Sequence, residues 1–324
     1  MKALKLTRES SDVAPRLQFV TIPKPDVTPH HILVRVRASA IHPSDILNAK
    51  GGFPYTQFPR VPGRDFAGVV EEGPSHLVGQ EVYGTSGDSF AFTKDGFHAE
   101  YCLVHQDEIT RKPSNISFAQ AATLGVPLTT AALAIERISL KPSESLLVIG
   151  ANGAVGSSVV QLAEGLGAKV IKATRRGGDA EDCISTEADP EFTAVDNLTQ
   201  RRGVNAVIDT VGSPALVAAA LKKLAKGGRL GFMSAPKSGP RGLEIDMLAC
   251  YRNDTSLHGC NSLNQSATDM ARRLQQLDPL LASGALRPSD GWTEVELDNA
   301  LGAYEAVIAK PSGQKFVITM GGEK

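Results

Sequence analysis

One segment constrains the fold of this chain more than any other: Leu146-Leu147-Val148-Ile149-Gly150-Ala151-Asn152-Gly153-Ala154-Val155-Gly156. A short apolar run closed by glycine reads as a buried strand, and Ala154 to Gly167 continues as an amphipathic helix. Glycines between a strand and a helix let the backbone approach a pyrophosphate closely. The helix start then offers free N–H groups and the positive end of its dipole. The spacing is Ala151-x-Gly153-x-x-Gly156, one glycine short of the full G-x-G-x-x-G pattern. A tight structural turn also uses glycine, but here strand, loop, helix and a second strand (Lys169 to Thr174) follow in order. The segment predicts a dinucleotide site, with Asn152, Gly153, Ala154 and Val155 against the phosphates.

The second strand speaks to which dinucleotide. An NAD site places Asp or Glu about 20 residues after the loop, on the ribose 2′-hydroxyl. Here the strand ends in Thr174-Arg175-Arg176, and no acid follows until Asp179. Two guanidinium groups suit a 2′-phosphate through charge-assisted, bidentate bonds. The expectation is NADP(H); the competing reading is a solvated basic loop.

Composition sets the outer bounds. At 324 residues the chain has room for two domains, and 34 Lys and Arg against 35 Asp and Glu give a net charge of −1. A balanced charge leaves no electrostatic footprint for nucleic acid or for an anionic membrane. The four cysteines, Cys102, Cys183, Cys250 and Cys260, have neither the spacing of a structural zinc site nor the density of a disulfide framework. Met1 to Leu6 alternates as a strand rather than forming a signal peptide, and no uninterrupted apolar run of membrane-spanning length is expected. These features predict a cytoplasmic protein.

Along the chain, roughly the first 115 residues read as short strands, such as His31 to Ala38 and Phe66 to Val70, punctuated by proline. The texture changes at Ser117-Phe118-Ala119-Gln120, a capping box. From there strands and helices alternate, which implies a parallel sheet. A helix is expected over Ala215 to Lys226, ending at Gly227-Gly228, and another over Ala267 to Ala282. A short mixed tail follows.

The chain as a whole resembles the medium-chain dehydrogenase/reductase superfamily, in its zinc-free quinone oxidoreductase-like branch. The matching segments are Ala38-Ser39-Ala40-Ile41-His42-Pro43-Ser44-Asp45, Pro62-Gly63-Arg64-Asp65-Phe66-Ala67-Gly68, Asp95-Gly96-Phe97-His98-Ala99-Glu100-Tyr101 and Gly125-Val126-Pro127-Leu128-Thr129-Thr130-Ala131. The glycine loop, Ile208-Asp209-Thr210-Val211-Gly212 and Gly313-Gln314-Lys315 complete the series in order. The resemblance implies an α/β protein in which a GroES-like substrate domain (1–118, completed by 286–324) surrounds a Rossmann NADPH-binding domain (119–285). It also implies a homodimer formed through the Rossmann sheet edge.

Zinc-dependent members hold their metal with a Cys in the first segment, a His-Glu pair in the second and usually a Cys near the last. The positions here are His42, Arg64-Asp65 and Val126. A cation and a valine at ligand positions argue against a metal, so no metal ligand is expected. Without a Lewis acid, the implied reaction is hydride transfer to a quinone or to the C=C bond of an α,β-unsaturated carbonyl, whose own carbonyl accepts the charge. Relatives carry Asn-Pro-x-Asp and then a Tyr, where this chain has His42-Pro43-Ser44-Asp45 and Phe53. The candidate catalytic residues are therefore His42, Asp45 and, in place of the missing Tyr, Tyr55. A structural histidine and a packing tyrosine are the bland alternatives. Thr130 is implied at the nicotinamide end, and Val211 along the cofactor crevice. The altered His42 and Phe53 positions leave open an NADPH-binding structural or regulatory protein with little turnover; a zinc alcohol dehydrogenase would require stoichiometric metal.

Overall fold

The computed structural model describes residues 1–236, 238–288, 291–310 and 314–321. The chain begins with β1 (Lys2–Thr7), β2 (Arg16–Thr21), β3 (His31–Ile41), α1 (Pro43–Ala49), β4 (Asp65–Glu72), β5 (Glu81–Thr85), β6 (Tyr101–His105) and β7 (Thr110–Arg111). Two helices, α2 (Phe118–Ala121) and α3 (Gly125–Arg137), lead into β8 (Ser145–Ile149), α4 (Ala154–Gly165), β9 (Lys169–Thr174), β10 (Cys183–Ser185), α5 (Thr193–Leu198) and β11 (Val204–Asp209). Then come α6 (Pro214–Leu221), β12 (Leu224–Phe232), α7 (Met247–Arg252), β13 (Ser256–Gly259), α8 (Ala267–Ala282), β14 (Trp292–Glu296), α9 (Ala300–Ala309) and β15 (Lys315–Thr319).

These elements form two compact units, Met1–Thr129 with Ser262–Lys324, and Thr130–Asn261. In the first, strands pair in the order β14-β15-β3-β4-β5-β7, with β6 also on β3 and a separate β1-β2 ribbon. All pairs but β14-β15 are antiparallel. Its core runs through Leu4, Ile32, Val34, Phe66, Val82 and Phe97.

In the second unit six parallel strands lie in the order β10-β9-β8-β11-β12-β13. With β8 counted first, that is the doubly wound 3-2-1-4-5-6 arrangement. The run Leu146 to Ile149 shows why both faces are covered. Leu146 and Val148 enter one core with Ala134, Val159 and Ile208, while Leu147 and Ile149 enter another with Ile171, Phe192 and Val217. A strand buried on both sides reads as continuous apolar sequence, as this one does.

The compact units meet at 129/130 and 261/262, where the sequence sets domain bounds at 118/119 and 285/286. The start of α3 is tied to β4, since Val126 N donates to the Asp65 carboxylate at 2.7 Å. Helix α8, moreover, packs on β5 and β7: Thr110 Oγ1 donates to Ala271 O at 3.1 Å and the Tyr83 hydroxyl to Asp278 at 2.9 Å. The helix expected over Ala215 to Lys226 stops at Leu221, because Leu224 already pairs with Val204. The sheet's backbone pairing overrides the helical propensity of Leu-Ala-Lys, and Gly227, at φ 72°, lies in the irregular stretch that follows. Phe118–Arg137 is long and apolar enough to cross a membrane by length and composition, though Gln120, Thr123, Thr129, Thr130, Glu136 and Arg137 interrupt its apolar residues; 67% of its most apolar 18 residues are buried within the protein. Of Gly313-Gln314-Lys315, Gly313 lies outside the described residues.

Candidate functional site

The parallel sheet reverses its strand order between β8 and β11, the position where doubly wound sheets open a crevice at the carboxyl ends of their strands. The glycine loop sits there. Gly150 has φ 83°, and a Cβ on it would come within 2.4 Å of Thr210 Oγ1 and 2.8 Å of Val211 Cγ2. Gly150 N and Ala151 N both donate to Ala173 O, at 2.8 and 3.1 Å, so the turn is pinned to β9. Gly156 packs closer still, since its Cβ would lie 2.1 Å from Gly150 O. Gly153 is different. It is exposed with φ −71°, and its Cβ would meet only Gly150 O at 3.2 Å. The fold needs a bare backbone at 150 and 156, whereas at 153 a Cβ would press only on one carbonyl oxygen.

Gly153 is the N-cap of α4, with no side chain capping it. The first-turn amides of Ala154 and Val155 have no acceptor within the helix and point out of its start, next to exposed Asn152. Beyond β9, the Thr174 hydroxyl is turned back onto Gly177, accepting from its N at 3.0 Å and donating to its O at 3.1 Å. Arg175 and Arg176 are exposed; Arg175 Nε lies 3.6 Å from Glu187 Oε1. On the far side, Asp209 is buried and accepts from Val211 N and Gly212 N, at 3.1 and 2.9 Å. That fixes the turn that holds Val211 half-exposed at the strand end. Burial pushes the Asp209 carboxyl up, against those two amides. Thr130 Oγ1, in α3, is buried with no hydrogen-bond partner among the described residues.

The β-rich unit holds a second constellation. His42 caps α1, and its Nε2 lies 2.7 Å from Asp65 Oδ2, with side-chain exposures of 2% and 0%. Asp45 reaches back to His42 N at 2.7 Å, while its other oxygen, Oδ1, is buried without a partner among the described residues. Burial raises the Asp45 carboxyl, opposed by His98, His42 and Arg64 nearby. The Trp292 ring meets His42 edge-on at 5.9 Å and also lines a cavity of about 360 Å³ with Gln120, Thr123 and Val317. Tyr55 stands apart from His42, packed with Phe53 and Phe92 at 5.6 and 5.4 Å. Burial raises its hydroxyl, and Arg64 lowers it. His98 is structural in its contacts, bonded to Ala40 O and the Tyr304 hydroxyl at 3.1 and 3.0 Å. Arg64 is the residue that sequence reading undervalued: it is buried, bonded to Ser86 and Ser44.

Residues 28–114 match the alcohol dehydrogenase GroES-like domain family and residues 154–277 the zinc-binding dehydrogenase family. A zinc-type alcohol dehydrogenase-like protein of Schizosaccharomyces pombe is 44% identical over 322 residues, 99% of this chain and 97% of its own. The chain belongs to the medium-chain dehydrogenase/reductase superfamily. Two other relatives set it in the quinone oxidoreductase-like branch of that superfamily. A quinone oxidoreductase of Mus musculus is 27% identical, covering 95% of this chain and 94% of its own. An NADPH-dependent alkenal/one oxidoreductase of Arabidopsis thaliana is 32% identical, covering 64% of this chain and 55% of its own.

The zinc in those family and relative names finds no fitting donor set among the described residues of this dehydrogenase/reductase. Among the described residues no three His, Cys, Asp or Glu side chains group so as to hold a metal. The two nearest candidates, His42 and Asp65, are bonded to each other, and Val126 offers only its backbone amide, already donated to Asp65. Two side chains fall short of the usual three protein ligands. The nicotinamide cofactor implied by the superfamily does fit. Gly153 leaves room for it, the α4 amides point outward, and Thr130 has a hydroxyl to spare.

Proposed function

We propose that this oxidoreductase is an NADPH-dependent reductase that passes hydride to a quinone, or to the C=C bond of an α,β-unsaturated carbonyl, without a metal. The observation that carries the cofactor choice is the end of β9. Arg175 and Arg176 stand exposed where an NAD site needs a carboxylate. Glu187 pairs loosely with Arg175 from across the strand end, and Arg176 is left to face a 2′-phosphate. The cofactor, when bound, supplies the hydride.

The chain's own residues bind and orient. The Gly153 backbone and the amides of Ala154 and Val155 hold the pyrophosphate, with Asn152 beside them. Thr130 donates to the nicotinamide end. Thr174 shapes the ribose pocket through its turn, since its hydroxyl is already spent on Gly177, and Val211 supplies an apolar wall. With no metal donor set among the described residues, charge on the acceptor oxygen is met in this reading by conjugation and hydrogen bonds, which suits quinones and enones rather than simple alcohols. Tyr55, 45% exposed, is the proton donor in this reading; His42, locked to Asp65, and Asp45, bonded to His42 N, fix the start of α1. A second reading, an NADPH-binding structural or regulatory protein, is favoured by that same locking of His42 away from solvent.

Replacing both Arg175 and Arg176 by Ala is expected to raise the Michaelis constant for NADPH at least about tenfold while moving that for NADH little. Equal effects on both would sink the assignment. Tyr55→Phe should lower kcat about a hundredfold; unchanged turnover removes Tyr55 from the chemistry. Tight NADPH binding with no oxidation by any quinone or enone favours the second reading. We further propose a cytoplasmic homodimer. Its four cysteines are free, and α7, which leads by three residues into the edge strand β13, presents Met247 and Tyr251, both 78% exposed.

A further inference from the structure

Arg64 is a cation almost sealed in the β-rich unit, 4% exposed. Buried charges are normally paired, because an isolated ion loses far more hydration than the protein returns. Among the described residues Arg64 has no such pair. Nε donates to Ser86 Oγ at 2.8 Å and Nη1 to Ser44 Oγ at 3.3 Å. Among the described residues no carboxylate lies within 4.0 Å of it, and Asp45 and Asp65 act on it only from longer range. A guanidinium has five N–H donors in a fixed fork. Two are used on neutral hydroxyls, and Nη2 has no acceptor from the protein among the described residues.

An aromatic ring lies over the guanidinium. The guanidinium carbon lies 5.8 Å from the centre of the Phe92 ring, which packs against Phe53 at 5.0 Å and Tyr55 at 5.4 Å. Phe92 is buried, Phe53 half-buried and Tyr55 exposed, so this cluster grades from the interior to solvent. The fork is also held still. Gly63 before it has φ 100° and no room for a Cβ, which would lie 2.4 Å from the His98 ring; Asp65 after it is bonded to His42 and Val126. A fixed, unpaired cation beside flat apolar faces is chemistry for a planar molecule that carries or develops an oxyanion.

We propose that Arg64 and the Phe53–Tyr55–Phe92 cluster form the acceptor subsite: a planar conjugated carbonyl compound lies against the rings, and Nη2 receives its carbonyl oxygen. This rests on the reductase reading above. The new C–H bond forms at the β-carbon with the electron pair of the delivered hydride. The C=C π pair shifts to give an enolate, whose charge sits on the oxygen held by Arg64, and a proton then completes the α-carbon. A guanidinium does not deprotonate in a protein, so Arg64 holds this charge without supplying the proton. Proton delivery stays with another group.

The test is binding of 4-nitrophenol, a flat conjugated ring whose phenolate resembles the developing oxyanion and whose ionisation is read by absorbance. Titrated on the intact protein, the bound phenol is expected to ionise about one pH unit lower than the free phenol. Arg64→Gln is expected to weaken phenolate binding about ten- to a hundredfold, the range of a hydrogen bond to a charged group. Arg64→Lys should recover part of it, and uncharged nitrobenzene should bind both variants as it binds the parent. Failure of the parent to bind the phenol, or the same ionisation bound and free, overturns the proposal. So does Arg64→Gln holding phenolate as well as the parent. The readout needs neither cofactor nor turnover, so a protein that shifts the phenol yet oxidises NADPH with no acceptor would retain this subsite and lose the reductase reading.

Discussion

His42 Nε2 and Asp65 Oδ2 stand 2.7 Å apart, and the same carboxylate accepts Val126 N at 2.7 and 3.0 Å through its two oxygens. One buried side chain thus fastens the start of α1 to the start of α3. The approach is so close that a Cβ on Gly125 would lie 2.5 Å from Asp65 Oδ1. Asp65→Asn keeps one acceptor but removes the charge and turns an amide toward one of the two partners. It is expected to cost about 2–4 kcal/mol, read as a lower urea midpoint. An unchanged midpoint would show that the pair contributes nothing to holding these helices.

The glycine loop separates fold from ligand. Gly156→Ala would drive a methyl to 2.1 Å from Gly150 O and 2.8 Å from Gly150 C, against backbone that cannot rotate away, and is expected to destabilise the α/β unit by more than about 2 kcal/mol. Gly153→Ala meets one carbonyl at 3.2 Å in an ordinary conformation, so stability should stay within about 0.5 kcal/mol of the parent. Calorimetric NADPH affinity should nonetheless fall at least about tenfold for Gly153→Ala. Parent-like affinity would mean that no phosphate approaches there.

Asp278, half-buried under the Tyr83 hydroxyl, is pushed up by burial from its ordinary 3.8 to about 6, with the Tyr83 bond opposing. The folded state therefore binds this proton more tightly than the unfolded one. Its contribution is fullest below the unfolded value and is lost as pH rises through about 6. Asp278→Asn keeps an acceptor for Tyr83 and cannot ionise. Discounted for partial exposure, the variant should gain about 1 kcal/mol over the parent at pH 8 and nothing at pH 4, by urea unfolding. The same difference at both pH values would count against this role.

Met247 and Tyr251 are too exposed for the fold to need them, and their helix leads by three residues into the edge strand β13. With both replaced by Lys, light scattering is expected to report a monomer where the parent runs as a dimer, at unchanged thermal stability of the α/β unit. A monomeric parent would remove the dimer from the picture.

How much of this was legible in the sequence depends on whether the signal was local. The apolar run Leu146 to Ile149 and the helix Ala267 to Ala282 declare themselves by periodicity, and so does the strand–helix alternation. The allegiance of that helix does not. Its apolar face, with Met270, Ala271 and Leu274, marks a buried side without saying what covers it, and the answer lies in strands more than 150 positions earlier, as in the Thr110–Ala271 bond. His42 and Asp65 are 23 residues apart at no telling interval. Arg64 reads in the sequence as an obstacle to metal and a partner for Asp45 or Asp65, because charged residues are so rarely buried that sequence alone gives no reason to place one inside without a pair.

The pairing of β15 with β3 sets Phe316 opposite Ile41 and Thr319 opposite Ala38. During synthesis the stretch Ala38 to Ile41, which leads straight into His42, therefore has no neighbour on that edge until the last strand leaves the ribosome. By then every residue of the α/β unit has been made and is free to close on its own core. The sheet that carries His42 and Arg64 is completed last, and a nascent chain cut short before Lys315 would present an open, apolar edge to whatever strand it met first.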